Sequence, residues 1–511
     1  QLPIIFLVQD NEWGISVTKE EARTSDAYDY AAGFVGLNRM RIDGTDFVES
    51  FIQMQKAVHF VREERKPLLV CAKTVLIGHH TSGVRREFYR DEADLAKHRA
   101  KDPGIILKKY LLEEGFSEET LSQIEIEARK QIEEDFNKAI LAPDPKPETV
   151  KEHVYAPTPI TEEKGTRIPE NGEKIPMVDA GIHAIQELMH KHPEALLYGQ
   201  DVGGRIGGVF REAVTLQQKF GNKRVFNTAI QEAYIIGSTV GMSAVGLKPI
   251  VEVQFADYIY PGINQLVTEV SKSCYLSNGK YPVSNIIRVP IGAYGGGGPY
   301  HSGSVETMLA QIKGIKIAYP SNAADFKGLF KAAFYDPNPV IFLEHKGLYW
   351  SKVPGTEDAK TVEPAEDYIL PFGKANIVKF ANEEEIQKGR TLVVVTYGMG
   401  VYWAKEAAKN FEGRIEIIDL RTIKPIDEEL VFERVKIHGK CILLTEEALN
   451  NSMMEAFGAR ISKNCFKHLD AAVEIMGSLD LPAVPINLIL EKEMLPNAEK
   501  LSLRINELLQ N

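Results

Sequence analysis

Glu232 closes the segment Phe226-Asn-Thr-Ala-Ile-Gln-Glu232, Gln254 and Tyr258 bracket Gln254-Phe-Ala-Asp-Tyr258, and His301 follows a glycine run in Gly292-Ala-Tyr-Gly-Gly-Gly-Gly298-Pro-Tyr-His301-Ser. Each of these residues stands beside small or apolar neighbours at what reads as a strand end. That is where an α/β enzyme binds its ligands. A carboxylate and an imidazole are side chains suited to proton transfer. Upstream, Ile77-Gly-His79-His80-Thr81 runs on through Ser82, Arg85 and Arg86 as a polar, cationic loop suited to a phosphate or an anionic substrate. His79 and His80 are adjacent, so they point in divergent directions and make poor joint ligands for one zinc. Asp10-Asn11 follows an apolar strand, where oxygen ligands for a hard cation such as Mg2+ can sit.

Each feature also has a plainer reading. Glu232 can be a helix N-cap, His301 a surface-loop histidine, the paired-histidine loop a solvated one, and Asp10-Asn11 an Asx turn. Gly203-Gly-Arg-Ile-Gly-Gly208 lacks the strand–turn–helix context and ribose-binding acid of a nucleotide loop, so it reads as a flexible loop. Taken together, the two groups suggest one active site assembled from two domains.

The elements that must position these residues follow an α/β alternation. Apolar strands at 4–8 and 68–75 alternate with helical segments at 47–64 and 117–139. Seven prolines lie between Pro143 and Pro176 among Glu, Lys and Thr, a composition that reads as an extended linker crossing a surface. Beyond it the pattern predicts a helix at 178–190 and strands at 195–199, 249–254, 286–290, 315–319 and 340–344. A third stretch predicts strands at 392–396, 415–419 and 441–445 with helices at 402–410 and 427–436. The expected architecture is three α/β domains with parallel sheets: 1–142, a linker at 143–176, 177–365 and 366–511.

At 511 residues the chain has room for a core in each domain. A net charge of −11 argues against a nucleic-acid binder, and no apolar run is long enough to span a bilayer. The four scattered cysteines, without a CxxC pair, read as reduced thiols and point to a cytoplasmic location. Gln1-Leu-Pro-Ile-Ile-Phe-Leu-Val8 reads as a buried strand, so the expectation is that the chain starts inside a domain.

The motifs together resemble the thiamine-diphosphate-dependent, decarboxylating first component of the 2-oxo acid dehydrogenase complexes. Val8-Gln-Asp-Asn11-Glu-Trp-Gly-Ile-Ser16, Ile42-Asp-Gly-Thr-Asp46 and Ile77-Gly-His-His-Thr81 are similar to the C-terminal part of its α subunit. Gly207-Gly-Val-Phe210, the segments around Glu232, Tyr258 and Tyr300-His-Ser302, and Ile418-Asp-Leu-Arg-Thr-Ile-Lys-Pro425 are similar to its whole β subunit. The resemblance implies an α–β fusion whose first two domains are of the thiamine-diphosphate-binding type and whose third is like the C-terminal domain of transketolase. It implies that Asn11 and the Trp13 carbonyl ligate Mg2+, and that Glu232 bonds the aminopyrimidine ring of thiamine diphosphate. Ile230 would pack on that ring with Gln254 and Tyr258 close by, and His80 and His301 would face the reacting centre. The implied partners are a 2-oxo acid and a lipoyl-bearing dihydrolipoyl acyltransferase, with the fused chain pairing as a homodimer. The third domain would serve dimerisation and docking.

Three departures from the family pattern stand out. The Gly-Asp-Gly segment with its acidic Mg2+ ligand would lie upstream of Gln1, Leu76 stands where the branched-chain type commonly has arginine, and Thr81-Ser-Gly-Val-Arg-Arg86 lacks the acidic pair of the animal loop. The Gln254–Tyr258 and paired-histidine segments look more like branched-chain (2-oxoisovalerate) than pyruvate enzymes. The alternatives are a pyruvate-type component, a transketolase-type enzyme without lipoyl dependence, or a non-catalytic truncated scaffold.

Overall fold

A computed structural model describes residues 2–294 and 296–510; Gln1, Gly295 of the glycine run and Asn511 lie outside the described residues. The chain divides into two compact units, Gln1–Pro145 and Lys146–Asn511.

The first unit is built on three parallel strands, β1 (Ile5–Asp10), β2 (Asn38–Asp43) and β3 (Leu68–Lys73), in the order β1-β3-β2. The central strand buries Leu68, Val70 and Ala72 against Ile42 and against Ala57 and Val61 of the crossover helix α1 (Phe47–Glu64). Asp46 starts that helix by accepting a hydrogen bond from Glu49 N at 3.0 Å. Helix α2 (Glu118–Leu141) starts where Ser117 Oγ accepts from Thr120 N at 3.1 Å, and it buries only Leu121.

From Lys146 the proline-rich segment is part of the second unit, where side chains from Tyr155 onward strap it down. Tyr155 Oη donates to the Ile315 carbonyl at 3.0 Å, Thr158 Oγ1 donates to Asp336 at 2.6 Å, and Arg167 pairs with the buried Asp325 at 2.6 Å. Lys174–Ile175 then pairs antiparallel with Thr361–Val362.

Beyond helix α3 (Met177–Lys191) lies a seven-stranded sheet. Its strands are β4 (Ala195–Gly199), β5 (Val225–Asn227), β6 (Lys248–Glu252), β7 (Asn285–Ile291), β8 (Lys316–Ala318), β9 (Pro339–His345) and, from the C-terminal region, β10 (Thr422–Lys424). Their order is β10-β8-β9-β7-β6-β4-β5, parallel except for β10. The chain steps from β4 to β5 on one side and returns to β6 on the other, so winding reverses at β4. A ligand crevice forms at such a reversal, beyond the carboxyl ends of the strands.

A second sheet of five strands is built around the parallel Leu392–Thr396, Ile415–Asp419 and Cys441–Ala448. The two sheets do not stand as separate bodies. Ile317 and Tyr319 share one apolar core with Val393, Val395, Tyr397 and Ile418, and β10 crosses into the larger sheet. Apolar periodicity marks each element but not which side chains share a core, and these two regions share one within a compact unit.

Candidate active site

Every site residue expected in the second unit follows the carboxyl end of a strand in the seven-stranded sheet. Glu232 follows β5, Gln254 and Tyr258 follow β6, and the loop to His301 follows β7.

Glu232 is the first residue of helix α4 (Glu232–Ala244) and is buried. The N-cap reading does not hold. The cap position is Gln231, which makes no side-chain cap bond. The Glu232 carboxylate turns instead to the sheet, where Gln200 Nε2 donates to its Oε1 at 3.0 Å. Among the described residues Oε2 has no hydrogen-bond partner. The helix is anchored by Tyr198 Oη to Ser238 Oγ at 2.7 Å and by Asn285 Nδ2 to Thr239 Oγ1 at 2.7 Å. Gly262 is required beneath it, because a Cβ there would lie 2.6 Å from Ile236 Cδ1 and 3.0 Å from the Glu232 carbonyl. Ile230, just ahead of the helix, is 83% exposed.

Gln254 Nε2 donates to Asp201 at 2.9 Å, beside Gln200. His301 is half-buried rather than a free surface side chain. Its Nε2 lies 2.8 Å from Tyr258 Oη, and its ring meets Phe255 edge-on at 4.6 Å. Gly303 holds the loop by donating its N–H to Asp257 at 2.9 Å; a Cβ there would meet the same carboxylate at 2.5 Å. The glycine-rich segment 203–208 is pinned rather than flexible, because Gly203 N donates to Asn227 at 2.6 Å and Gly208 N to the Asp201 carbonyl at 2.8 Å.

In the first unit, Asn11 and Trp13 lie together after β1. Asn11 Oδ1 accepts from Trp13 N at 3.0 Å, which is an Asx turn. The turn leaves an oxygen lone pair on Asn11 for a cation. Asp10 is not so placed. Lys73 lies 2.5 Å from Asp10 and 2.9 Å from Asp26, and Arg23 also pairs with Asp10. Burial pushes the Asp10 carboxyl upward, but Lys73 and Arg23 outweigh it and hold it below the usual range. Asp10, Asp26 and Cys71 lie close enough to share a metal, yet the two cations already neutralise those carboxylates.

A cavity of about 530 Å3 opens beyond the carboxyl ends of β1, β2 and β3, and Arg41, Lys73, Lys97 and Lys101 are among its lining residues. His80 sits exposed in its loop, where His79 Nδ1 accepts from Arg86 N at 3.1 Å.

Motif reading missed Gln200 and Lys346. Both directly follow strands, after Gly199 and His345, so the carboxyl-end rule applied to every strand finds them. Replacing Gln200 by Leu removes a buried bond to a charged group, worth about 1.5–3 kcal/mol. The expected result is a roughly ten- to hundredfold loss of turnover with a melting temperature lowered by a few degrees. Wild-type turnover in that variant would show that Glu232 needs no such support.

Parallel sheets with a buried carboxylate and a Tyr–His pair beyond their carboxyl ends form the ligand-binding end of an α/β enzyme, and its fold is of the transketolase-like class. Residues 173–351 match the transketolase pyrimidine-binding domain, 382–501 the transketolase C-terminal domain, and 1–148 the dehydrogenase E1 component. The 2-oxoisovalerate dehydrogenase subunit beta of Bacillus subtilis is 37% identical over 65% of this chain and 97% of its own length. The Pseudomonas aeruginosa protein of the same name is 38% identical over 60% of this chain and 87% of its own length. The pyruvate dehydrogenase E1 component subunit beta of Acholeplasma laidlawii is 38% identical over 58% of this chain and 87% of its own length. The chain belongs to the thiamine-diphosphate-dependent 2-oxo acid dehydrogenase family, as an E1 component. Among the described residues, no helix is long and apolar enough to cross a membrane. All four cysteines are free and buried.

Proposed function

We propose that this chain is an α–β fusion that oxidatively decarboxylates a branched-chain 2-oxo acid and passes the acyl group to the lipoyl group of a partner acyltransferase. The single observation that most supports this reading is the buried Glu232 carboxylate, held through Oε1 by Gln200 at the winding reversal of the sheet.

The residues present fit thiamine diphosphate and Mg2+. Asn11 Oδ1 and the Trp13 carbonyl would hold the cation; of the cations lining the first unit's cavity, Arg41, Lys73 and Lys97 are paired with carboxylates, and Lys101, which makes no ion pair among the described residues, would meet a diphosphate. Bound thiamine diphosphate would supply the electron sink for loss of carbon dioxide. Glu232 would share a proton with a ring nitrogen through its free Oε2. The exposed Ile230 would support the ring from one side, with Gln254 and Tyr258 nearby. His301, oriented by Tyr258, would move protons as the acyl group passes to lipoyl sulfur. The branched-chain preference is supported by the names of two of the three relatives. One methylene in such a pocket is worth only about 1–3 kcal/mol, so turnover must decide it.

The test is calorimetric titration of thiamine diphosphate with Mg2+, into this chain and into one extended upstream, followed by turnover of 2-oxoisovalerate and pyruvate with a lipoyl acceptor. Binding and a higher kcat/KM for 2-oxoisovalerate are expected. No binding by either protein would remove the enzymatic reading. A higher kcat/KM for pyruvate would overturn the substrate class alone.

A further inference from the structure

Lys346 directly follows β9 and is 4% exposed. Among the described residues no carboxylate lies within ion-pair distance of it. Its ammonium donates instead to the carbonyl oxygen of His301 and sits 5.1 Å from the centre of the Phe255 ring. That ring is the one packed edge-on against the His301 imidazole, whose Nε2 meets Tyr258 Oη.

A buried ammonium without an ion pair costs the fold free energy. The lysine stem needs only an apolar side chain of similar length to fill its place. We infer that Lys346 is a positioning residue, clamping the His301 backbone and the Phe255 ring so that the imidazole is held against Tyr258. This inference rests on the role proposed above for His301.

Desolvation pushes the Lys346 ammonium down to about 8, against the opposing pull of Glu446, Asp257 and Glu491. Asp257 is engaged by Gly303 N and Glu446 by His345, so neither neutralises it directly. His301, whose carbonyl it holds, the Tyr258 bonded to that histidine and the adjacent His345 are further titratable groups beside it. In the fold the ammonium deprotonates near 8, while in the unfolded chain it stays charged to its ordinary value of 10.5. The unfolded state therefore binds more protons in that window, and the contribution of Lys346 to stability improves as pH rises through it.

The experiment compares full-length wild type, Lys346→Met and Lys346→Arg. Lys346→Met is expected to melt at the same or a higher temperature at pH 7 and to lose the stability gain above pH 8. Its kcat for acyl transfer is expected to fall about tenfold or more, with thiamine diphosphate affinity unchanged. Lys346→Arg, charged beyond pH 12, is expected to restore kcat and carry it further into alkaline pH. A 15N-histidine spectrum reads the same clamp without turnover: the His301 signal, assigned with His301→Asn, should move in Lys346→Met.

An unmoved His301 signal overturns the inference. So does a lowered melting temperature with kcat falling only in proportion to the folded fraction. If wild type turns over no 2-oxo acid, the proposed function fails, and the histidine spectrum decides the clamp by itself.

Discussion

Glu232→Gln is expected to abolish 2-oxo acid decarboxylation, by about 10²–10⁴-fold, while leaving the melting temperature unchanged. Gln keeps the shape of the side chain and an oxygen that can accept from Gln200 Nε2, so the anchor at 3.0 Å survives. It cannot give up or share an acidic proton. The helix carrying it is held independently by Tyr198–Ser238 and Asn285–Thr239, so no fold loss should confound the result. Steady-state turnover and calorimetric thiamine diphosphate binding, measured on the same preparation, check this. Retained decarboxylation would mean that the burial of this carboxylate serves packing only.

The largest effect on stability is expected at Arg288→Met. Arg288 lies on β7 and is fully buried. It donates to both oxygens of Glu344 on β9 at 2.7 and 2.8 Å, and to Glu252 at the end of β6 at 3.3 Å. Removing it leaves buried negative charge uncompensated, at a cost of about 3–5 kcal/mol. Equilibrium denaturation reads this directly, and a loss below about 1 kcal/mol would show that the network relaxes.

The same cluster has a pH signature. Burial first, and then the neighbouring Glu212, raise the Glu252 carboxyl well above its ordinary 4.5. Between those values the folded state holds a proton that the unfolded state has released. Stability therefore falls as pH rises above about 4.5, and Glu252→Gln should flatten that slope. Because Arg288 ties together the strands that lead to Gln254, His301 and Lys346, its loss should also lower turnover in whatever fraction remains folded.

Much of this was readable before any coordinates. The runs of Val, Ile and Leu at 286–290, 340–344 and 392–396 are too apolar for exposed strands and so announce a parallel sheet covered on both faces. Glu232 stood out because it follows a strand and opens a helix rich in Gly, Ala and Ser, although a helix N-cap explained it equally well. Gln200 did not stand out. A glutamine after a strand carries no periodicity signal, and its partner lies 32 residues away. Arg288 was hidden for a related reason. It lies within an apolar strand, and only the parallel register that sets it beside Glu252 of the neighbouring strand reveals its purpose. The proline-rich segment illustrates the converse. Its composition conveys extension, but not that Thr158 and Arg167 would find Asp336 and Asp325 in the second unit.

The sequence by itself determined the elements, their parallel character and the family, and it singled out Glu232, His80 and His301 as candidates for proton transfer, because each depends on local spacing and residue type. Only the tertiary structure decided which partners hold those side chains: Gln200 on Glu232, Tyr258 and Lys346 at His301, and Lys73 rather than a metal on Asp10. It also decided that the two C-terminal α/β regions share one core. Such pairings follow from strand order and register, which bring together residues far apart in the chain, and nothing in a local window encodes that order.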